Sequence, residues 1–203
     1  MKKLKATSGF FLLVLTCFFI SNFNAFAQKT NIFIVRIAEP NPQINGKDEL
    51  RSTLSPEGQM RANDLLKALK HEKIKAIYVS SGKAAEQTAY PLAARAKILP
   101  RVYADSTSGL VKILNRNFQG TNVLVVAQLK DIMQLISQLG VDPPFETLND
   151  DDYDLLFSIT LNGDDKKDMF ITYYGKPHHV TEIPQQYLID KFYPSYTAPI
   201  ISH

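Results

Sequence analysis

The chain has 203 residues, of which 45% are hydrophobic and 21% are charged, and its formal net charge is +3. Residues 1–27 hold three of the 23 Lys and Arg and no acid, so the other 176 residues balance 20 basic against 20 acidic side chains. This neutral remainder has no basic footprint for nucleic acid or a membrane surface, and its length fits one domain.

The amino-terminal segment predicts a secretory signal peptide. Three lysines precede an apolar stretch at residues 10–20, and Ala25-Phe26-Ala27 has the small-x-small pattern of a cleavage site. We therefore expect residues 1–27 to be removed and the protein to be periplasmic or secreted, without membrane association; an uncleaved anchor is the alternative. Cys17, the only cysteine, leaves with this segment, which excludes disulfides, thiol catalysis and cysteine metal sites in the mature chain.

Apolar runs alternate with amphipathic patterns over the next hundred or so residues. Ile32 to Val35 form a continuous apolar run, typical of a strand covered on both faces. Ser55-Pro56-Glu57-Gly58 predicts a helix start, because serine caps, proline suits the first position and glutamate favours the positive end. The remaining patterns predict strands at 76–79, 98–103 and 123–126 and helices at 84–96, kinked or interrupted at Pro91, around 110–114 and at 132–139.

This alternation predicts a three-layer α/β/α fold, with a mostly parallel sheet flanked by helices. Beyond residue 142, an acidic loop precedes two predicted strands, 155–161 and 169–174, separated by a hairpin-type turn at Asn162-Gly163-Asp164-Asp165. We expect one α/β domain over residues 28–175, followed by an extended tail, 176–203, rich in proline and aromatic residues and packed on the domain.

Several separate motifs resemble those of the histidine phosphatase (phosphoglycerate mutase-like) superfamily, in order and in spacing, between residues 31 and 140. The resemblance implies a phosphoglycerate mutase-like fold and relatives that break phosphate esters through a phosphohistidine. In such relatives a histidine after the first strand attacks phosphorus, arginines and a second histidine hold the phosphoryl oxygens, and a carboxylic acid protonates the leaving alcohol. The motifs are Arg36-Ile37-Ala38-Glu39, Leu54-Ser55-Pro56-Glu57-Gly58-Gln59, Gln87-Thr88-Ala89 and Val123-Leu124-Val125-Val126.

The chain departs from the family pattern at the positions that carry the chemistry. By the resemblance, Ile37 stands at the nucleophilic histidine, Gln128 at the second histidine and Ala84 at an arginine, with Lys83 beside it. Only Arg36 keeps its family identity. Because loss of a covalent nucleophile costs about 10⁶ in kcat in a serine protease, these departures predict a catalytically inactive member.

The remnant residues predict a site for a phosphate-bearing or other small anionic ligand, formed by Arg36, Lys83 and Gln128. Each residue also has a structural interpretation. Arg36 is then an ion-paired strand end, with Glu39 as its partner, Lys83 a solvated loop lysine, and Gln128 a partner for loop backbone groups. Glu39 itself is interpreted as a solvated loop carboxylate.

Two alternatives stay open for the function. One is an active phosphomonoesterase whose atypical nucleophile, His178 or His179, comes from the tail; adjacent histidines point apart in an extended chain. The other is a protein-interaction module that presents the tail. The sequence has no metal-ligand spacing, glycine-rich phosphate loop or dinucleotide fingerprint, so we expect no metal and no cofactor.

Overall fold

The computed structural model describes residues 29–42, 51–103, 106–162 and 167–195. The predicted signal peptide and most of the turn predicted at 162–165 lie outside these residues. Among them, no helix has the length and apolar character needed to cross a bilayer. The described residues form six strands and five helices: β1 Thr30–Arg36, α1 Pro56–Leu69, β2 Ile74–Val79, α2 Lys83–Ala96, β3 Arg101–Val102, α3 Thr107–Asn117, β4 Asn122–Ala127, α4 Leu129–Gln138, β5 Leu155–Leu161, β6 Lys167–Tyr173 and α5 Gln185–Phe192.

The strands form one sheet in the order β3-β2-β4-β1-β5-β6. Strands β1 to β4 pair in parallel, whereas β5 runs antiparallel to β1 and β6 antiparallel to β5. Ile32 and Ile34 of β1 pack with α3 and α4 on one face, and Phe33 and Val35 pack with α1 and α2 on the other. The prediction of a three-layer α/β/α fold with a mostly parallel sheet is confirmed.

Helix α1 begins as its sequence predicts. The Ser55 hydroxyl accepts a hydrogen bond from the Gly58 N–H at 3.1 Å, and Pro56 takes the first helical position. This cap satisfies one of the N–H groups that a helix start leaves without a partner. Ala62 and Leu65 are buried on the face toward the sheet, so the cap fixes where the loop after β1 meets this helix.

Gly58 lies against the backbone of that loop. A Cβ at residue 58 would collide with the carbonyl oxygen of Glu39, which belongs to the main chain and cannot swing away. We expect Gly58→Ala to lower the free energy of unfolding by about 1–3 kcal/mol, measured by urea denaturation. In the control Gly109→Ala, the new Cβ makes ordinary contacts with Ser106, so no loss is expected; equal losses in both variants would contradict this explanation.

Helix α2 continues through Pro91, where the sequence predicts a kink or an interruption. The helix runs unbroken from Lys83 to Ala96, so the predicted interruption is wrong. Ala89, Leu92 and Ala93 are buried against the sheet on either side of the proline. Their packing outweighs the roughly 3 kcal/mol that an interior proline costs a helix.

The tail contains a helix, α5, that its sequence pattern does not predict, so the expectation of an extended tail is wrong over Gln185–Phe192. The Tyr187 hydroxyl donates to the Met169 carbonyl at 2.7 Å, and Lys191 pairs with Asp168, so α5 covers the edge of β6. Burial raises the pKa of Tyr187 to about 12, which keeps this donor protonated. Because Phe192 stays 57% exposed, the interaction-module alternative stays a prediction.

Candidate functional site

The candidate site lies at the carboxyl edge of three neighbouring parallel strands. Arg36, at the end of β1, pairs with Ala127, at the end of β4, and the Ile37 N–H donates to the Ala127 carbonyl at 3.0 Å. On the other side of β4, the Ser80 N–H donates to the Val126 carbonyl at 2.9 Å. The loops that carry Arg36, Lys83 and Gln128 therefore leave the sheet at one edge, where ligands of such sheets bind.

Arg36 is bound by the protein's own backbone. Its Nη1 donates to the carbonyl oxygen of Asp150, with longer contacts to those of Asn149 and Asp152. Its Nη2 donates to the Tyr153 hydroxyl at 3.2 Å, and the guanidinium carbon lies 3.9 Å from the centre of that ring. Arg36 therefore holds loop 149–153 against the end of β1, and the expected ion pair with Glu39 is wrong.

Lys83 and Gln128 begin the two helices at this edge. Lys83 is exposed at the first position of α2, and Gln128 is half-buried at the position before α4. Neither start has a side-chain cap. Within the described residues no hydrogen bond joins any two of Arg36, Lys83 and Gln128, so their common ligand stays a prediction.

Hydrocarbon fills the position that the resemblance assigns to the nucleophile. Ile37 is half-buried and packs against a small cluster that includes Ala38, Leu54, Ala62 and Ala84. Ala84 is the position assigned to a phosphate-binding arginine. The two departures from the family pattern thus meet in one apolar cluster, which offers an anion neither a nucleophile nor a positive charge.

Glu39 is buried rather than solvated, so that expectation is wrong. Glu39 is only 7% exposed. Its carboxylate accepts hydrogen bonds from Arg61 Nη2 at 2.7 Å and from Arg61 Nε at 3.0 Å. Nδ1 of His178 donates to Oε1 at 3.0 Å. Burial alone would raise the pKa of Glu39, but the hydrogen bonds from Arg61 and His178 outweigh it, and the pKa lies below its ordinary value.

Arg61 is the main site residue that the sequence interpretation missed. It is 4% exposed, and its Nη1 also donates to the carbonyls of Tyr174 at 3.1 Å and Lys176 at 2.9 Å. A weak signal exists, because residue 61 lies one turn before Leu65 on the apolar face of α1. The charge of Arg61 argued against burial, because its partner Glu39 lies outside α1, in the loop after β1, and the sequence does not show that the two residues meet.

The tail folds back over this edge of the domain and brings both histidines with it. His178 reaches Glu39, while Nδ1 of His179 donates to Asp154 at 2.8 Å and the ring stacks on Tyr173 at 4.1 Å. The two rings therefore contact different carboxylates, as expected for neighbours in extended chain. Among the described residues, no three His, Cys, Asp or Glu side chains group as a metal would require.

Asp152 fastens the tail to the loop that Arg36 holds. It is 1% exposed, and its carboxylate accepts the backbone N–H groups of Asn149 at 2.6 Å, Val180 at 2.7 Å and Thr181 at 2.8 Å. Burial would raise its pKa, but the hydrogen bonds from Thr181, Val180 and Asn149 lower it below the ordinary value. Arg36, the loop and the tail therefore form one connected structure over the edge.

The sequence of the chain matches the model of one protein family over part of its length. Residues 32–107 match the sequence model of the histidine phosphatase superfamily (branch 1). This segment is similar in sequence to the histidine phosphatase superfamily. The match spans β1, the loop with Glu39 and helices α1 and α2, so the resemblance inferred from the motifs is confirmed over these residues. No curated protein sequence matches the chain significantly.

Three solved structures have a similar fold. The protein histidine phosphatase SixA complexed with tungstate has a TM-score of 0.54 at 20% identity, over 70% of this chain and 96% of its own. Mycobacterial glucosyl-3-phosphoglycerate phosphatase has a TM-score of 0.54 at 14% identity, over 73% of this chain and 100% of its own. Mycobacterial hydrolase 1 gives 0.57 at 13% identity, with coverage of 73% and 100%. At these identities the similarity establishes the fold alone.

Proposed function

We propose that the protein is an exported, catalytically inactive member of the histidine phosphatase superfamily whose remnant site binds a phosphate-bearing or other small anion. The observation that carries the loss of catalysis is the packing of Ile37 and Ala84 in one apolar cluster. Phosphoryl transfer needs a nucleophile in line with phosphorus and positive charge on the transferred oxygens. In this chain the first is a hydrocarbon, and one of the cationic positions is an alanine.

Anion binding is supported by Lys83 and by the starts of α2 and α4 at the carboxyl edge of the sheet. The exposed side chain of Lys83 supplies a charge, and the uncapped starts of α2 and α4 present N–H groups with the positive ends of two helix dipoles. Two related structures have been solved with oxyanions, tungstate in SixA and VO3 in the mycobacterial glucosyl-3-phosphoglycerate phosphatase. Arg36 contributes less than its family identity implies, because loop carbonyls already accept from its Nη1.

Hydrolysis of p-nitrophenyl phosphate and calorimetric titration with tungstate test the two halves of the proposal. We expect no turnover above the buffer rate, and tungstate binding that Lys83→Ala weakens about tenfold, the loss of one charged hydrogen bond. Lys112→Ala, at an exposed lysine of α3, is the matched control and should leave binding unchanged. Turnover in the wild type would overturn the inactive half; tungstate affinity that is absent, or equal in both variants, would overturn the binding half.

A second candidate, a phosphomonoesterase with an atypical nucleophile, is favoured by one observation. Glu39 accepts a hydrogen bond from Nδ1–H of His178, which leaves Nε2 as the outward nitrogen of the ring, and the His178 side chain is 43% exposed. A carboxylate that orients an imidazole is a common arrangement for a nucleophile or base. Any turnover would then vanish in His178→Ala and survive in the control His71→Ala, whose exposed ring lies just after α1.

Export rests on the signal sequence and has a direct test. Amino-terminal sequencing of the protein from an expressing bacterium should begin at Gln28 in the extracytoplasmic fraction, as expected for cleavage after Ala27. An uncleaved Met1 in the cytoplasm would overturn this part of the proposal without affecting the others.

A further inference from the structure

A cavity lies away from the candidate site, where α1 and α2 end and β2 begins. Its volume is about 270 Å³, just below the roughly 300 Å³ at which ligand pockets usually start. The floor is apolar, because Leu69, Ile74 and Leu92 are buried, each no more than 7% exposed. The opening is thus suited to a group of fragment size, one ring or a short chain.

Three cations line the same cavity, and no acidic side chain does: Lys70, Lys73 and Arg95. All three are exposed. In the part of the chain that the structure describes, none of them forms a salt bridge or a side-chain hydrogen bond. Lys67, one turn earlier on α1, is by contrast paired with Asp64. The cavity therefore concentrates positive charge that the domain's own carboxylates leave uncompensated.

The ends of the two helices do not cancel this charge. A helix carboxyl end carries about half a negative charge, so two ends set about one negative charge against three positive ones. Several terminal carbonyls are also occupied: that of Leu69 accepts from Glu72, and those of Ala93 and Ala94 accept from the backbone just after α2. The cavity stays net cationic.

Lys73 also has an unusual backbone conformation. Its φ is +49°, in the left-handed region where a residue with a side chain is disfavoured by about 1–2 kcal/mol. Strained residues of this kind concentrate at binding sites. The strain places a cation at the rim of the cavity between α1 and β2.

We propose that this cavity binds a free, small amphipathic anion, with its ring or short chain on the floor of Leu69, Ile74 and Leu92 and its single anionic head between Lys70, Lys73 and Arg95. A lipid with two acyl chains is too large for it. The site faces the amino end of β2, whereas Lys83 and Gln128 lie at the carboxyl edge, so occupancy here does not depend on the proposed function.

Titration with sodium octanoate, followed by two-dimensional ¹H–¹⁵N NMR of the purified protein, tests the proposal. We expect saturable shifts of the backbone amides at 69–74 and 92–97. Octanol and octylamine, which have the same chain without the negative charge, should shift these amides weakly or not at all. Lys73→Gln/Arg95→Gln should weaken octanoate binding at least about tenfold, since each charged hydrogen bond is worth that much.

Two further variants make the test decisive. Lys112→Gln/Lys130→Gln removes two exposed lysines from α3 and α4, on the opposite face of the sheet, and should leave the affinity unchanged. Ala96→Leu fills the cavity from a half-buried position at the end of α2 and should abolish the shifts while the rest of the spectrum persists. Equal shifts with octanol, unchanged affinity in the Lys73/Arg95 variant, or octanoate shifts centred on Lys83 and Gln128 would each overturn the proposal.

Discussion

Replacing Arg61 with methionine should lower the free energy of unfolding by about 3–5 kcal/mol, the cost of leaving a buried charge without its partner. Glu39 would stay buried with only His178 to bind it, and the carbonyls of Tyr174 and Lys176 would lose a donor. Urea denaturation measures the change. Because folded domains are stable by about 5–15 kcal/mol in all, Arg61→Met should be among the most damaging single changes.

Two variants identify the cause of that loss. Lys67→Met removes an exposed lysine from the same helix, paired with Asp64, and should cost less than about 1 kcal/mol. Glu39→Leu/Arg61→Met removes both charges and should recover part of the stability, since an apolar pair can replace a buried ion pair. If the double variant is less stable than Arg61→Met alone, the unpaired carboxylate is not the source of the loss.

Asp152→Ala should release the tail from the domain and lower the free energy of unfolding by about 1–3 kcal/mol. Three backbone N–H groups, those of Asn149, Val180 and Thr181, would lose their acceptor. Because these hydrogen bonds are only half-buried, water replaces part of each, and the total loss stays near the cost of one buried unpaired group. Urea denaturation and limited trypsin digestion measure the two effects, with faster cleavage expected after Lys191, the lysine of the tail that proline does not follow. Asp151→Ala changes the exposed neighbouring carboxylate and should affect neither.

The pH dependence of the free energy of unfolding gives an independent check on the role of Asp152. Because the folded pKa of Asp152 is lowered, its contribution is complete above the pKa of an unfolded aspartate, about 4. It is lost as the pH falls through the lower folded value, and Glu39, also lowered, behaves in the same way. The stability that these two carboxylates contribute should thus be level from pH 7 to 5 and fall below about pH 4, and the stability of Asp152→Asn should fall less steeply. A variant as acid-sensitive as the wild type would contradict this assignment.

The sequence predicts those parts of the fold that neighbouring residues determine. The apolar run of β1 and the cap at Ser55 are local patterns, and both appear as predicted. Helix α5 is missed because none of its residues is fully buried, so it lacks the strong apolar periodicity that reveals a helix. Pro91 shows the converse, a local signal that tertiary packing overrides.

The candidate site depends on contacts that a linear pattern does not contain. The Glu39 carboxylate is bound by Arg61, 22 residues away, and by His178, 139 residues away. From the sequence alone it is a polar residue in a loop, and solvation is the ordinary expectation. The resemblance locates Arg36 at the edge of the sheet, but its carbonyl partners come from a loop after α4, outside the matched motifs.

The hydrogen-bond acceptors of Arg61 and Arg36 also determine how late in synthesis the candidate site can form. Arg61 receives its last acceptors from residues 174 and 176, which follow it by 113 and 115 positions, and Arg36 finds its first acceptor 113 positions later. Contacts this distant form slowly, since the long loop must close before the contact stabilises it. A chain emerging from the ribosome therefore holds both arginines without these acceptors until nearly all of it has been synthesised. The region that resembles an active site can therefore become native only after residues 174 and 176 are available to Arg61.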